Sequence, residues 1–268
     1  MNRQRVAAVV RKDWLELLRN RQALIPILIV PLIFVVAFPS AIVLLGRSGL
    51  LAEQGDIRDL LDLFPSDLLP AGYDDTQAAV YLALNYMLAP LFLIIPIMLG
   101  AISASSSFVG EKERRTLEGL LYTPITNIEL VLAKVLVSLV PSVLVTWLAF
   151  LVCTVIVNVL GWPLFDAWFF PNLVWLVMVL VLAPLIAFLS VLLIVAVSQR
   201  SATMQSAQNA SVFLVLPVIA LLVSQSAGLI FINTWLVLVA SAVVAVLDAV
   251  LLWFIATRFN REQLLLRM

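Results

Sequence analysis

Residues 110–134 read Gly-Glu-Lys-Glu-Arg-Arg-Thr-Leu-Glu-Gly-Leu-Leu-Tyr-Thr-Pro-Ile-Thr-Asn-Ile-Glu-Leu-Val-Leu-Ala-Lys. This is the only long charged interruption between Asp75 and the C-terminal tail, and apolar runs flank it on both sides. From Glu111 to Leu121 the spacing predicts a short amphipathic helix. Leu117, Leu120 and Leu121 share one face, and Glu111, Arg114, Arg115 and Glu118 cover the rest. Thr123-Pro124 stops that helix, because the residue before a proline is pushed out of the α region. Thr126-x-x-Glu129 has the form of a capping box and starts the next helix, which runs directly into apolar sequence. The stretch therefore reads as apolar helix, short surface helix, sharp turn, apolar helix.

The flanking runs fix the class. The 268-residue chain is 63% hydrophobic and 12% charged, with a mean hydropathy of +1.13. Soluble domains are about half apolar and about a quarter charged. Several runs reach the ~20 apolar residues that a spanning helix needs. The expectation is an all-α polytopic membrane protein forming one transmembrane domain over 1–268. Six transmembrane helices are expected near 23–45, 79–103, 130–160, 173–197, 210–232 and 235–256. Residues 1–20 carry Arg3, Arg5, Arg11, Lys12 and Arg19 beside Val6, Val9, Val10, Trp14, Leu17 and Leu18 at helical steps. They predict an N-terminal amphipathic helix lying in the headgroup plane rather than a cleaved signal peptide.

Three features mark the connections. Residues 46–77 form an acidic external loop in which Leu60, Leu61, Leu63 and Phe64 can lie against the membrane or neighbouring spans. Residues 161–172 hold Trp162, Phe165, Trp168, Phe169 and Phe170, an aromatic belt for an interface. Residues 198–209 form a short polar turn before the fifth span. Within the spans, Gly100 and Ala104 make a small-xxx-small step for close helix packing, and Pro26, Pro31 and Pro39 require neighbours to satisfy freed carbonyls. Lys134 can snorkel back to the surface.

Charge then orients the six spans. The segments on one side hold Arg3, Arg5, Arg11, Lys12, Arg19, Arg21, Lys112, Arg114, Arg115, Lys134, Arg200, Arg258, Arg261 and Arg267; the other side holds Arg47 and Arg58. Fourteen against two is a strong positive-inside bias, and it puts both termini and the 110–129 loop in the cytoplasm.

The motif Gly110-Glu-Lys-Glu-Arg-Arg-Thr-Leu-Glu118, followed by Leu120-Leu121 and Thr123-Pro-Ile125, resembles the first cytoplasmic loop of permease subunits of the second ABC-transporter class. These are six-span exporters of drugs, lipids, peptides and polysaccharides. The span order extends the likeness over nearly the whole chain. The resemblance implies that 110–129 is a coupling loop whose short cytoplasmic helix sits in a groove of an ATPase subunit. It implies a connecting role for the N-terminal helix beside that ATPase. Ala207-Gln208 resembles the family's small-polar step before the fifth span, and Ser224–Gly228 suits its short re-entrant helices. The expected partners are two copies of a cytosolic ABC ATPase, a second permease copy or a related permease, and the lipid bilayer of a prokaryotic inner membrane. Glu111, Arg114, Arg115 and Glu118 would make the polar contacts to the ATPase, with Leu117 and Leu121 as apolar anchor. The other reading of the same residues is a solvated charged loop between two helices.

Catalytic chemistry is not visible. There is no histidine, which removes His-ligated metal sites and the HExxH proteases. Cys153, the single cysteine, lies in an apolar run and reads as a small buried hydrophobe. The lysines are Lys12, Lys112 and Lys134, and none follows a glycine, so no Walker A site is present. No cofactor or metal is expected in this chain; ATP and Mg belong to the partner ATPase. The basic residues border spans, where anionic lipid explains them without nucleic acid.

Asp248 is the one acid well inside a span. An ionised carboxylate at mid-bilayer costs ~2.5–3.5 kcal/mol, so it should face the bundle, pair, or be protonated. It reads either as a substrate or proton site or as a structural contact with the Gln208 and Asn209 region. A secondary transporter using Asp248, and a membrane scaffold without transport, stand as alternatives to the exporter. The absence of further intramembrane charges and of an internal repeat speaks against the secondary carrier. The apolar spans suit an amphipathic, lipid-like or drug-like cargo.

Overall fold

The computed structural model describes residues 21–49, 72–113, 127–198 and 203–258, together with residues 10, 12, 14, 61, 64, 65, 68–70, 200 and 201. Among these, six helices are long and apolar enough to cross a membrane and no strand occurs. They are α1 (Ile25–Arg47), α2 (Asp75–Glu111), α3 (Glu129–Phe165), α4 (Leu173–Ser198), α5 (Met204–Ser226) and α6 (Thr234–Thr257). The fold is a polytopic all-α membrane protein, as the apolar runs require. Consecutive spans run antiparallel. The end of the bundle where α2 meets α3, bordering 114–126, is here the elbow end; the opposite one, at 165–172, is the far end.

Burial sorts the helices. In the most apolar stretch of α2, 78% of residues are buried, and in α4 56%, against 11% for α5 and 17% for α6. So α2 and α4 form the centre, and the other helices turn long apolar faces outward. Within lipid such faces bring no hydrophobic drive between helices, so packing and polar contacts must hold them together. Gly100 supplies the packing. A Cβ there would lie 2.9 Å from the Ala187 carbonyl and 3.1 Å from Ser190 Cβ. Across the same crossing, Ser190 Oγ donates to the Ile97 carbonyl at 2.7 Å.

Prolines shape three of the spans. A π-helical turn at Ile33–Ala37, Ala83–Met87 and Met178–Leu182 ends two or three residues before Pro39, Pro90 and Pro184 respectively. Proline lacks the N–H and crowds the carbonyl four residues back, and a widened turn relieves that crowding. Asn85 and Tyr86, five and four residues before Pro90, lose its donor. Trp175 Nε1 of α4 donates to the Asn85 carbonyl at 3.1 Å, and Gln225 Nε2 of α5 reaches the Tyr86 carbonyl at 3.5 Å. Val179 stands the same way before Pro184, and Trp147 Nε1 of α3 donates to its carbonyl at 3.1 Å. Side chains from neighbouring helices thus fill the vacancies, which ties α2 and α4 to α3 and α5.

The far end is aromatic. Trp175 is fully buried, with the rings of Phe92, Phe150 and Phe170 at 5.1, 5.9 and 5.0 Å. Asn158 closes the α3–α4 connection. Its amide donates to the carbonyls of Thr154 and Phe170, and its oxygen accepts from the Phe169 and Phe170 N–H groups. The expected aromatic belt divides here: Trp162 and Trp168 are exposed, whereas Phe165, Phe169 and Phe170 are buried. From the 46–77 segment, Phe64 is buried against Phe231 at 4.9 Å, and Leu61 packs on the same core.

Two boundaries depart from the sequence expectation. The polar residues 204–209 are helical rather than a turn, because Thr203 caps them. Its Oγ1 accepts from the Ser206 N–H at 3.2 Å, and Ser206 Oγ accepts from the Thr203 N–H at 3.2 Å. The fifth helix stops at Ser226 instead of continuing to Ile232, with Gly228 at φ +71 and the Leu229 N–H bonded to the Ser224 carbonyl at 2.9 Å. The third helix, by contrast, runs 39 residues from Asn127 to Phe165. At ~1.5 Å per residue it is about 58 Å long, well beyond the ~30 Å of a hydrocarbon core.

Candidate functional site: the base of the elbow and its cavity

The helix that carries the α2 span runs on past Glu111 to Glu113, and the helix that carries the α3 span begins two residues earlier, at Asn127. Of the residues singled out as coupling contacts, Arg114, Arg115, Leu117, Glu118 and Leu121 lie outside the described residues, as does Thr126 of the expected capping box. Glu111 is described. It belongs to the last turn of α2, and only 4% of it is exposed.

Its carboxylate faces two lysines. Oε2 pairs with Lys134 Nζ of α3, and Oε1 with Lys12 Nζ at 2.8 Å. Lys134 is 2% exposed; it does not snorkel outward but turns into the bundle. There it also donates to the Ser107 carbonyl and lies 5.4 Å above the Phe108 ring. The reason is the nearby acid: an ammonium paired with a buried carboxylate and a carbonyl satisfies all three groups at once, which outward snorkelling would not. The pair spans the two legs of the elbow at their base. Lys12 adds the amino-terminal segment, of which Val10, Lys12 and Trp14 are described and helical. The rest of the expected 1–20 helix lies outside the described residues.

Beside this clamp is a half-open cavity of about 570 Å³. Pro26 of α1, Met98, Ile102 and Ser106 of α2, and Gln205, Gln208 and Asn209 of α5 line it. Two contacts bind its α2 and α5 walls together. Gln208 Nε2 donates to Ser105 Oγ at 2.9 Å, and the Met204 N–H donates to Glu113 Oε2 at 3.0 Å. Gln205 Nε2 approaches Asn209 Oδ1 at 3.5 Å. The cavity offers amide and hydroxyl groups on one wall and apolar side chains on another, a surface for an amphipathic guest.

Asp248 stands apart from it. Only 3% exposed, it lies on the buried stripe of α6 with Val237, Ser241 and Ile255, and among the described residues neither carboxylate oxygen has a hydrogen-bond partner. Gln208 and Asn209 bond elsewhere, so the expected contact between them and Asp248 is not made. Among the described residues no cluster of His, Cys, Asp and Glu suits a metal. Cys153 is buried and free.

Sequence reasoning missed the Lys134–Glu111 pairing and the roles of Ser105, Glu113 and Thr203. Lys134 itself carried a signal, since a lysine two turns into a helix and flanked by apolar residues needs a partner. The partner lies 23 residues away on another helix, so spacing along one helix could not reveal it.

The sequence matches the ABC-2 family transporter protein description over residues 7–236, most of its length. The chain belongs to that family. It is a transport component, a multi-pass membrane permease subunit of the ABC-2 type, and the family implies association with an ATPase subunit. Among curated proteins, none matches the chain.

Proposed function

We propose that the chain is the permease half of an ATP-driven exporter and that 110–129 is its coupling loop, facing the cytoplasm with both termini. Two permease copies, or this chain and a related one, work with two ATPase subunits that hold the ATP and Mg. Closure of the ATPases pushes on the segment after Glu113, tilts α2 and α3, and moves the pathway from inward-open to outward-open. The cargo is amphipathic, lipid-like or drug-like.

One observation carries this reading: the buried Glu111–Lys134 pair clamps the base of the elbow. A push on 114–126 therefore reaches α2 and α3 together, and α2 is the most buried helix of the bundle. A loosely hung solvated loop would have no need of a buried ion pair at its root. The fourteen-to-two basic asymmetry supports the cytoplasmic side. The polar and apolar walls of the 570 Å³ cavity support the cargo class.

The test separates contact from clamp. Charge reversal at Arg114 and Arg115 with Leu117→Asp should abolish co-purification of the ATPase while the permease still inserts and folds. Retention of the ATPase by that variant would end the assignment.

A further inference from the structure

The Asp248 carboxyl is used by neither the clamp nor the cavity. Asp248 lies ten residues from Arg258 and fourteen from Thr234 on one continuous helix. At ~1.5 Å per residue that is about 15 and 21 Å from the helix ends, near the middle of a ~30 Å apolar layer. The chain itself covers it, since α6 exposes its other faces and buries this stripe, and the span packed on α6 is α4, along its whole length.

Among the described residues, the segments that pack most on α6 carry no charge to meet it. Leu173–Val177, Met178–Leu182 and Ala183–Ser198, the segments that pack on α6, contain no acid, base or tyrosine. Along α6 from Thr234 to Thr257, Asp248 is the sole titratable residue. At the elbow side of the stripe, Leu251, Leu252 and Ile255 belong to an apolar cluster that also holds Val191 and Val195 of α4. Glu111 and Glu113 of α2 bond to Lys134 and the Met204 N–H. Buried hydroxyls of α6 and α4 are committed too: Ser241 Oγ donates to the Val237 carbonyl at 2.7 Å, and Ser190 Oγ to the Ile97 carbonyl at 2.7 Å. A metal cation needs several oxygen ligands, and this seam supplies one carboxyl. A carboxylate without partner in such a place is far costlier than a neutral acid.

We propose that Asp248 is a proton-binding site: it holds its proton while α4 and α6 are packed and releases it only when that seam opens. The ligand is the proton alone. By linkage, loss of the proton favours the open seam, so rising pH biases α4 and α6 apart. The site does not depend on the exporter reading above, and its test needs neither cargo nor ATPase.

Infrared spectroscopy of the purified full-length chain in lipid reads the proton directly. At neutral pH, chain labelled with ¹³C at aspartate should show the carbonyl band of a protonated carboxyl, and that band should exchange slowly in D₂O. It should vanish in Asp248→Asn, whose amide mimics the neutral acid. No protonated-carboxyl band from labelled wild type at neutral pH overturns the proposal without any variant. A band that survives Asp248→Asn overturns it equally. Thermal stability gives a second readout: wild type should lose stability as the pH is raised and Asp248→Asn should not, and parallel curves would count against the site.

Discussion

Removing one member of the Glu111–Lys134 pair should destabilise the bundle far more than removing both. Glu111 is 4% exposed and Lys134 2%. The second cation, Lys12, is 45% exposed at its side chain, so water screens its contact with Glu111 Oε1. An exposed partner of that kind contributes about 1 kcal/mol or less. Lys134→Met leaves the buried carboxylate with Lys12 alone and should cost about 3–5 kcal/mol; Glu111→Met strands the Lys134 ammonium at a similar cost. The double variant Glu111→Met/Lys134→Met leaves no buried charge, and similar replacements elsewhere are often neutral. It should therefore recover most of the loss: the two single-variant losses sum to about 6–10 kcal/mol, and the double variant should fall short of that sum by about 5 kcal/mol or more. Lys12→Met should cost about 1 kcal/mol at most. Unfolding in mixed micelles, followed by tryptophan fluorescence, measures all four variants. Additive single-variant losses in the double variant would refute the clamp, and so would a Lys12→Met loss as large as that of Lys134→Met.

The helix contacts give three further expectations. Gly100→Ala puts a methyl 2.9 Å from the Ala187 carbonyl, so α2 and α4 must separate, and a loss of about 1–3 kcal/mol should appear as a lower melting temperature. Trp175→Phe keeps an aromatic ring but is smaller and removes the donor to the Asn85 carbonyl, and thermal unfolding should show a loss of at least about 1–3 kcal/mol. Asn158→Leu removes the partner of the Phe169 and Phe170 N–H groups together, and hydrogen exchange at those two amides should rise sharply while α2 amides hold their protection.

The six spans were legible because each must satisfy its backbone internally and present apolar side chains along about twenty residues, a demand that leaves its mark locally. Boundaries were legible only where the stopping signal was local as well. Thr123-Pro124, read as the stop of the short surface helix, lies outside the described residues. The start of α5 was misread because 204–209 looks like a polar turn by composition. In the fold these residues form one wall of a cavity, and the Thr203–Ser206 cap lets the helix begin among them. The prolines read as kinks. That their freed carbonyls are met by Trp147, Trp175 and Gln225 depends on which helices lie side by side, and a single sequence does not encode that openly.

The candidate site divides along the same line. Charge pattern alone identified the elbow, and the family match rests on sequence that includes it. Glu111 shows where pattern stops. By helical spacing it belongs to the polar face of a surface helix with Arg114, Arg115 and Glu118, yet the α2 helix carries on to Glu113 and buries it. What decides its place is Lys134. A lysine held at that depth requires an acid, the helix must extend to deliver one, and Glu111 is the residue delivered. Glu111 therefore belongs to the helix of α2 and not to a separate surface helix. In the exporter reading Glu111 then transmits the push within the permease, and the residues from Arg114 onward receive it. This makes a separable pair of phenotypes: loss of the clamp should leave the ATPase bound but ineffective, whereas loss of Arg114, Arg115 and Leu117 should leave it unbound. ATPase co-purification with Glu111→Met/Lys134→Met, set beside transport by the same variant, distinguishes the two. A clamp-less permease that still transports at the wild-type rate would show that force enters the bundle elsewhere.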